Sequence, residues 1–519
     1  MERIQGFINV PRETPPHKKK ESSPLPQEPS DAVTLSSGPS ENKKQPVELN
    51  IIHVNDMHGN ISPHVEKSVS AESPVGGLAH MGSVVKQVRD EHPGSLLLNA
   101  GDLLQGSFES EISGGKPVLE VINHLGFDAV ELGNHDFAWG KSALFGLIGS
   151  LATPVLAANV IATDTGEPLV NPSIMKEVKG IKVGIIGVDT PKIAEYVRPE
   201  EIEGMTFPGP EEPVKSQIAR LKSLGADLIV VVSHLGLKDD RELAKKIPGI
   251  DVIVGGHTHS VLPQGEKVGD TIIVQAGCNN EYVGSLALSY DPESRKITDY
   301  RSTLIPVIAD KIPADSQIEK ILKPYIEAGE KAGKEIVGAT QGEMKYSFTE
   351  PTPLGQHMAD AIREAAGTKL ALTSAKMLRA GLPAGEVTRR ELFNSYPNTE
   401  AVVSVKIKGK HLKEELESRY ASDSRAIMIP SGFSFTVDRS RPDGSRITSI
   451  TINGAPFEPE REYDVGVTDN QARYPTFKTA REVKTKGTLR DAWFRYVKKH
   501  SPLTTTLDGR ITLTGSPSS

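Results

Sequence analysis

Apolar positions along this chain fall into short runs, each closed by a turn and followed by a stretch of helical period. Val47–Val54, Ser95–Ala100, Phe127–Leu132, Ile181–Val188, Asp227–Ser233 and Asp251–Val254 are rich in leucine and β-branched residues. Runs with so little polar alternation suit strands covered on both faces. Met81–Glu91, Pro117–Leu125, Glu212–Leu224 and Asp240–Lys246 lie between them and read as helices. Strands alternating with helices predict an α/β fold with a largely parallel, two-faced sheet.

Past residue 312 the pattern changes. Pro313 to Val337 reads as one helix, with acidic residues near its start and Ile318, Ile321, Leu322 and Ile326 at helical spacing. Pro324 lies inside it and is expected to kink it or split it in two. We expect this segment, 313–337, to join a first domain, 48–312, to a second, 338–513. The second carries a helix at Leu354–Ala366 and strands near Ala401–Ile407, Phe433–Val437, Ile447–Ile452 and Tyr463–Val467. Asp443-Gly444 and Asn453-Gly454 read as hairpin-type turns. Residues 1–47, rich in Pro, Ser, Lys and Glu, read as a disordered tail, and 514–519 as a flexible end.

Composition narrows the classes. The 519 residues are enough for two or three domains, each with its own core. A formal net charge of −7 argues against a general binder of nucleic-acid polymers and gives no sign of a membrane-surface patch. Cys278 is the single cysteine, which excludes an intramolecular disulfide framework and any multi-cysteine metal site. The first residues show no apolar core of signal-peptide length, and no run reaches the length of a membrane helix. Cytoplasm is therefore the default expectation, with export left open.

Five polar clusters follow strands of the first domain: Asn55-Asp56-Met57-His58-Gly59, Gly101-Asp102-Leu103-Leu104-Gln105-Gly106, Gly133-Asn134-His135-Asp136, Ser233-His234-Leu235-Gly236 and Gly255-Gly256-His257-Thr258-His259. Singly each has a plain reading: a helix cap, a turn, a surface imidazole. Together they hold five of the chain's fourteen histidines, all at strand ends, where α/β sheets bind ligands. Aspartate, asparagine and histidine give mixed oxygen and nitrogen donors, suited to Zn, Mn, Fe or Co. Two such ions roughly 3.5–4 Å apart can clamp a phosphoryl oxygen and hold a hydroxide for in-line attack.

These clusters resemble those of the calcineurin-like metallophosphoesterases, specifically the 5′-nucleotidase and UDP-sugar hydrolase family, over residues 47 to 513. The resemblance implies a four-layer α-β-β-α sandwich joined by a helix to a smaller α+β C-terminal domain. It implies Asp56, His58, Asp102 and His259 around one ion, and Asp102, Asn134, His234 and His257 around the other, with Asp102 bridging. His135 takes the place of the catalytic histidine, with Asn134 beside it. The nucleophile would be a water or hydroxide held by the metals, without a covalent enzyme intermediate. The implied activity is release of phosphate from nucleoside 5′-monophosphates or related small phosphate esters. The same centre could serve a 2′,3′-cyclic nucleotide phosphodiesterase or a nucleotide-sugar pyrophosphatase. A non-catalytic nucleotide- or protein-binding module is a third reading.

The chain departs from the family in two places. Members often carry an aspartate three residues after the catalytic histidine, which orients its ring; here that residue is Ala138. Asp136 or another group would have to substitute. In the second domain, Arg379 matches the family's Asn…Arg run, but Ser374 stands at the asparagine position. Asp469 to Phe477 replaces a Gly-Gly-Asp-Gly-aromatic segment and has no glycine. Tyr474 and Phe477 are its candidates for stacking on a nucleoside, although each also reads as core. Ile427 falls near the other aromatic position and has no π face. Phe433 and Phe435 read as core.

Overall fold

A computed structural model of the protein describes residues 45–515, apart from 422, 423, 425, 453 and 478. The expected tail before residue 45, Asn453 of the second hairpin turn and the end beyond Gly515 lie outside the described residues.

The apolar runs of the first half fold into two six-stranded sheets. One is ordered Lys296–Pro306, Tyr282–Asp291, Val47–Val54, Leu96–Ala100, Ala129–Glu131, Val155–Leu156. The other is ordered Glu266–Val268, Thr271–Val274, Val252–Gly255, Leu228–His234, Ile181–Asp189, Ser173–Val178. In each, four parallel strands are extended by antiparallel ones. The largely parallel, two-faced pattern is realised as two sheets packed face to face, each parallel through four strands and antiparallel beyond them.

Successive side chains of a strand point to opposite faces, so an unbroken apolar run feeds two cores at once. Ile51, Leu96, Leu98, Val230 and Val254 meet between the sheets. Ile52 and Leu97 face outward onto helices Leu78–Glu91 and Lys116–Leu125. Val231 and Ile253 face the opposite way, onto Glu211–Ser223 and Leu237–Lys246. The result is the four-layer α-β-β-α sandwich.

The helix after residue 312 runs unbroken from Ser316 to Gly333, started by Asp315, whose side chain accepts from the backbone of Gln317 and Ile318. Pro324 does not split it. That residue is exposed, so the backbone group it leaves unpaired can be met by solvent. The helix is anchored to the first half, with Ile318 and Leu322 buried in its core.

Beyond it, a five-stranded sheet is ordered Met428–Ser431, Leu370–Ser374, Glu462–Thr468, Ala401–Lys408, Arg481–Thr488. Helix Pro353–Ala366 packs against it, and helix Leu489–His500 against that helix. A four-stranded sheet holds Phe433–Asp438, Ile447–Ile452, Ala455–Pro456 and Ile511–Thr514. This is the smaller α+β part. Among the described residues, no helix is long and apolar enough to cross a membrane.

Candidate metal centre

The parallel strands of both sheets end on the same side, and their connecting loops carry the polar clusters together. Asp56, His58 and His259 form one group of potential ligands, His58, Asp102 and His135 a second, and Asp102, His234 and His257 a third. In each group the ligand atoms lie within 4.8 Å of one another. The groups overlap through His58 and Asp102. His58 Nε2 is 3.0 Å from His259 Nε2, and His259 Nε2 is 3.4 Å from Asp56 Oδ1. Asp102 Oδ2 is 3.2 Å from His234 Nε2 and 3.8 Å from His58 Nε2.

The loops hold these groups at a conformational cost. Asp56, His58, Asp102, His257 and His259 all have φ between 48° and 71°. Non-glycine residues avoid this left-handed region, at roughly 1–2 kcal/mol each. Among the described residues nine non-glycine positions do so, and five of them are candidate ligands. Strain gathered in this way marks a site that the surrounding fold over-determines. Gly133 serves close approach: a Cβ there would lie 2.3 Å from Asp102 Oδ1.

Main-chain oxygens aim the rings. His58 Nδ1 is 3.0 Å from the Gln105 carbonyl, and His234 Nδ1 is 2.7 Å from that of Ala100. Each donates its Nδ1 proton and turns Nε2 towards the cluster. Burial pushes His58 down to about 4, so its ring stays neutral with a lone pair to offer. Burial, together with the neighbouring His234, does the same to His257, also to about 4. Burial works against the charged form of Asp102, but the neighbouring His234 and His135 outweigh it and hold the carboxyl well below the usual range.

These residues fit divalent cations. Asn134 Oδ1 is buried without a hydrogen-bond partner, and His234 Nε2, also buried, faces the Asp102 carboxylate at 3.2 Å, an arrangement that is costly unless a cation meets them. The donors are oxygen and imidazole nitrogen. Cys278, half-buried, lies beside His259 and is the sole thiol.

The other residues singled out in the sequence are more scattered. Asp136 does not orient His135. Its carboxylate accepts from the amides of Leu103, Leu104 and Gly133 and ties two loops together, and burial beside Asp102 pushes it up to about 7. His135 Nδ1 instead hydrogen-bonds the side-chain oxygen of Gln105. Arg379 is exposed, and its backbone amide is held by Ser395. Phe477 is 1 % exposed and packs with Val465, Val467 and Ile429 in the core of the second half. As a stacking platform it is corrected: no ring face is open. Tyr474 packs on the same core, and the Arg419 guanidinium covers its ring at 4.3 Å. Phe433 and Phe435 are buried, as expected.

Sequence reasoning passed over the layer beneath the cluster. Glu131 and Asp189 are fully buried, and burial pushes both well above the carboxylate range, reinforced at Glu131 by Asp189 and at Asp189 by Asp102 and Asp136. Asp189 ends a strand, the same signal that exposed the other clusters, but no histidine follows it in the sequence; His234 is brought beside it only by the pairing of the two strands. Also unread were the ties to the second half. Glu109 pairs with Arg390 at 2.6 Å, Glu111 pairs with Arg490, and Arg473 donates to the carbonyls of Ala194 and Val197.

A four-layer sandwich with oxygen and nitrogen ligands gathered at its strand ends defines a metallophosphoesterase. Residues 49–261 match the family of calcineurin-like phosphoesterases, and residues 332–478 match the 5′-nucleotidase C-terminal domain. The chain thus joins a calcineurin-like phosphoesterase part, which implies divalent metals, to a 5′-nucleotidase C-terminal part. It is 28% identical to endonuclease YhcR of Bacillus subtilis over 502 residues, covering 90% of this chain but only 41% of that protein's length. It is 26% identical to protein UshA of Yersinia enterocolitica, covering 91% of this chain and 95% of that one. The crystal structure of a 5′-nucleotidase precursor from Thermus thermophilus superposes with a TM-score of 0.73 at 26% identity, over 91% of this chain and 100% of that one.

Proposed function

We propose that the protein is a dinuclear-metal phosphohydrolase that releases phosphate from nucleoside 5′-monophosphates or related esters. One observation carries the reading: three ligand groups from separate strand ends share His58 and Asp102. Asp56, His58, Asp102 and His259 would hold one ion, and Asp102, Asn134, His234 and His257 the other. When bound, the ions supply positive charge for phosphoryl oxygens and acidify the attacking water. His135, anchored through Nδ1, presents Nε2 to stabilise charge on the transferring group or to protonate the leaving oxygen. The second half, 338–513, would supply substrate contacts, with exposed Arg379 as one.

The altered clamp favours a second reading on the same centre. With Phe477 buried and Tyr474 covered, the base is gripped less than in the family. A cyclic diester or a nucleotide-sugar pyrophosphate bond would then compete as substrate, and one relative is named an endonuclease. The test is phosphate release from a panel of nucleotides, cyclic nucleotides, nucleotide sugars and a polynucleotide with Mn²⁺ or Zn²⁺. No turnover on any member, with ions bound, rejects both readings. Diester cleavage faster than monoester cleavage selects the second.

A further inference from the structure

His135 sits on a single 3₁₀ turn, Asn134–Phe137, closed by the amide of Ala138 donating to the His135 carbonyl at 3.2 Å. In such a turn residues three apart eclipse. An acid at position 138 would therefore stand beneath the imidazole and could accept its Nδ1 proton. Alanine offers only a methyl group, and Asp136, next in line, is spent on three loop amides. The ring nevertheless has a partner. It comes from a different loop, the one after strand Leu96–Ala100, where the buried Gln105 hydrogen-bonds His135 Nδ1 through its side-chain oxygen.

The far end of the same amide is also held. Gln105 Nε2 donates to Thr399 Oγ1 of the second half at 3.4 Å, which turns the carbonyl oxygen towards the histidine. The main-chain carbonyl of Gln105 meanwhile holds His58 Nδ1 at 3.0 Å. One residue thus aims two rings, a candidate ligand through its backbone and the reacting histidine through its side chain.

We infer that Gln105 is the positioning residue for His135, a neutral amide from a neighbouring loop doing the work of the missing acid at position 138. This rests on the function proposed above. A partner that fixes the tautomer and angle of such a ring is worth roughly 10–100-fold in activity. Removing the side chain leaves the main-chain bond to His58 intact, so the loss falls on the chemical step rather than on assembly of the centre.

The experiment compares wild type, Q105L, and Q105L combined with A138D, each loaded with Mn²⁺ and assayed on p-nitrophenyl phosphate. Nitrogen NMR of the His135 ring in the metal-free wild-type protein gives a second readout. We expect kcat of Q105L to fall about 10–100-fold, with KM and metal content unchanged, and the second substitution to restore most of kcat. The NMR signal should show the proton on Nδ1. An unchanged kcat in Q105L, a fall confined to KM, a failure of A138D to restore the rate in a folded protein, or a proton on Nε2 with Nδ1 bare each overturns the inference. If the wild type turns over no ester at all, the proposed function fails, and the NMR readout still decides the role of Gln105.

Discussion

Substituting Gly133 by alanine tests the convergence of the loops more sharply than deleting a ligand. The backbone there has φ −128° and ψ 168°, which any residue adopts without strain. Propensity is thus not the issue, and the added methyl acts only by contact. It would lie 2.3 Å from Asp102 Oδ1, 2.4 Å from the Asp102 amide nitrogen and 2.8 Å from Asp102 Cγ, where ordinary contact begins at 3.4 Å. The carboxylate or the loop beneath it must retreat by about 1 Å. Overpacking of this kind costs roughly 1–3 kcal/mol of stability. A misplacement of about 1 Å in a reacting assembly costs on the order of 100-fold in rate. We expect kcat/KM for a phosphate monoester to fall by about that factor, close to 3 kcal/mol. The rise in Tm on adding Mn²⁺ should shrink, while the metal-free protein still folds. Gly146 supplies the control: it lies in helix Lys141–Ser150 with open space around its missing Cβ. Alanine there should keep full activity and add up to about 1 kcal/mol of stability. Full activity and a full metal response in G133A would mean that Asp102 does not stand where the centre needs it.

Three further outcomes follow from the same geometry. Chelation should lower Tm, because ions that bind only the folded state add about 2.7 kcal/mol at a hundred times their Kd; a melt unmoved by EDTA and by Mn²⁺ would contradict the site. Asp240, fully buried with Ser233 donating to it at 2.5 Å, is pushed by burial from 3.8 up to about 7. Its protonated form therefore favours the fold fully below about pH 3.8, less as pH rises, and not at all above 7, a span of roughly 4 kcal/mol; urea titrations from pH 4 to 8 should show a shallower decline in D240N, and superimposable curves would show an ordinary carboxylate. Arg490, paired with Glu111 and donating to the Pro397 carbonyl at 2.5 Å, ties the two halves; R490A should lose about 1.5–3 kcal/mol in the same assay, and no loss would show that the pair is merely solvated.

The apolar runs of the first half were legible because burial on both faces leaves no polar alternation to blur them. Val47–Val54 runs to its expected ends, and the expected polar clusters lie at the ends of their strands or just beyond, Ser233 and His234 closing strand Leu228–His234 itself. The second half was harder to read. Arg481–Thr488, REVKTKGT, pairs with Ala401–Lys408 at the sheet's edge. Charged residues protect an edge strand and erase its pattern. Phe477 and Tyr474 look alike in sequence, since an aromatic at a core and one at a platform are the same letter, and only packing separates them.

The chain itself determined which chemistry was available: carboxylates, an amide and imidazoles placed after strands, with a single thiol, permit oxygen and nitrogen ligation of divalent ions and little else. Tertiary structure decided which of those groups meet. Asp56 and His259 are some two hundred residues apart in the chain and 3.4 Å apart in space. Gln105 stands thirty residues before the ring it holds. Local sequence carries turn and strand propensity because those depend on near neighbours. Contacts between loops depend on how two sheets stack, and that information is spread over the whole core.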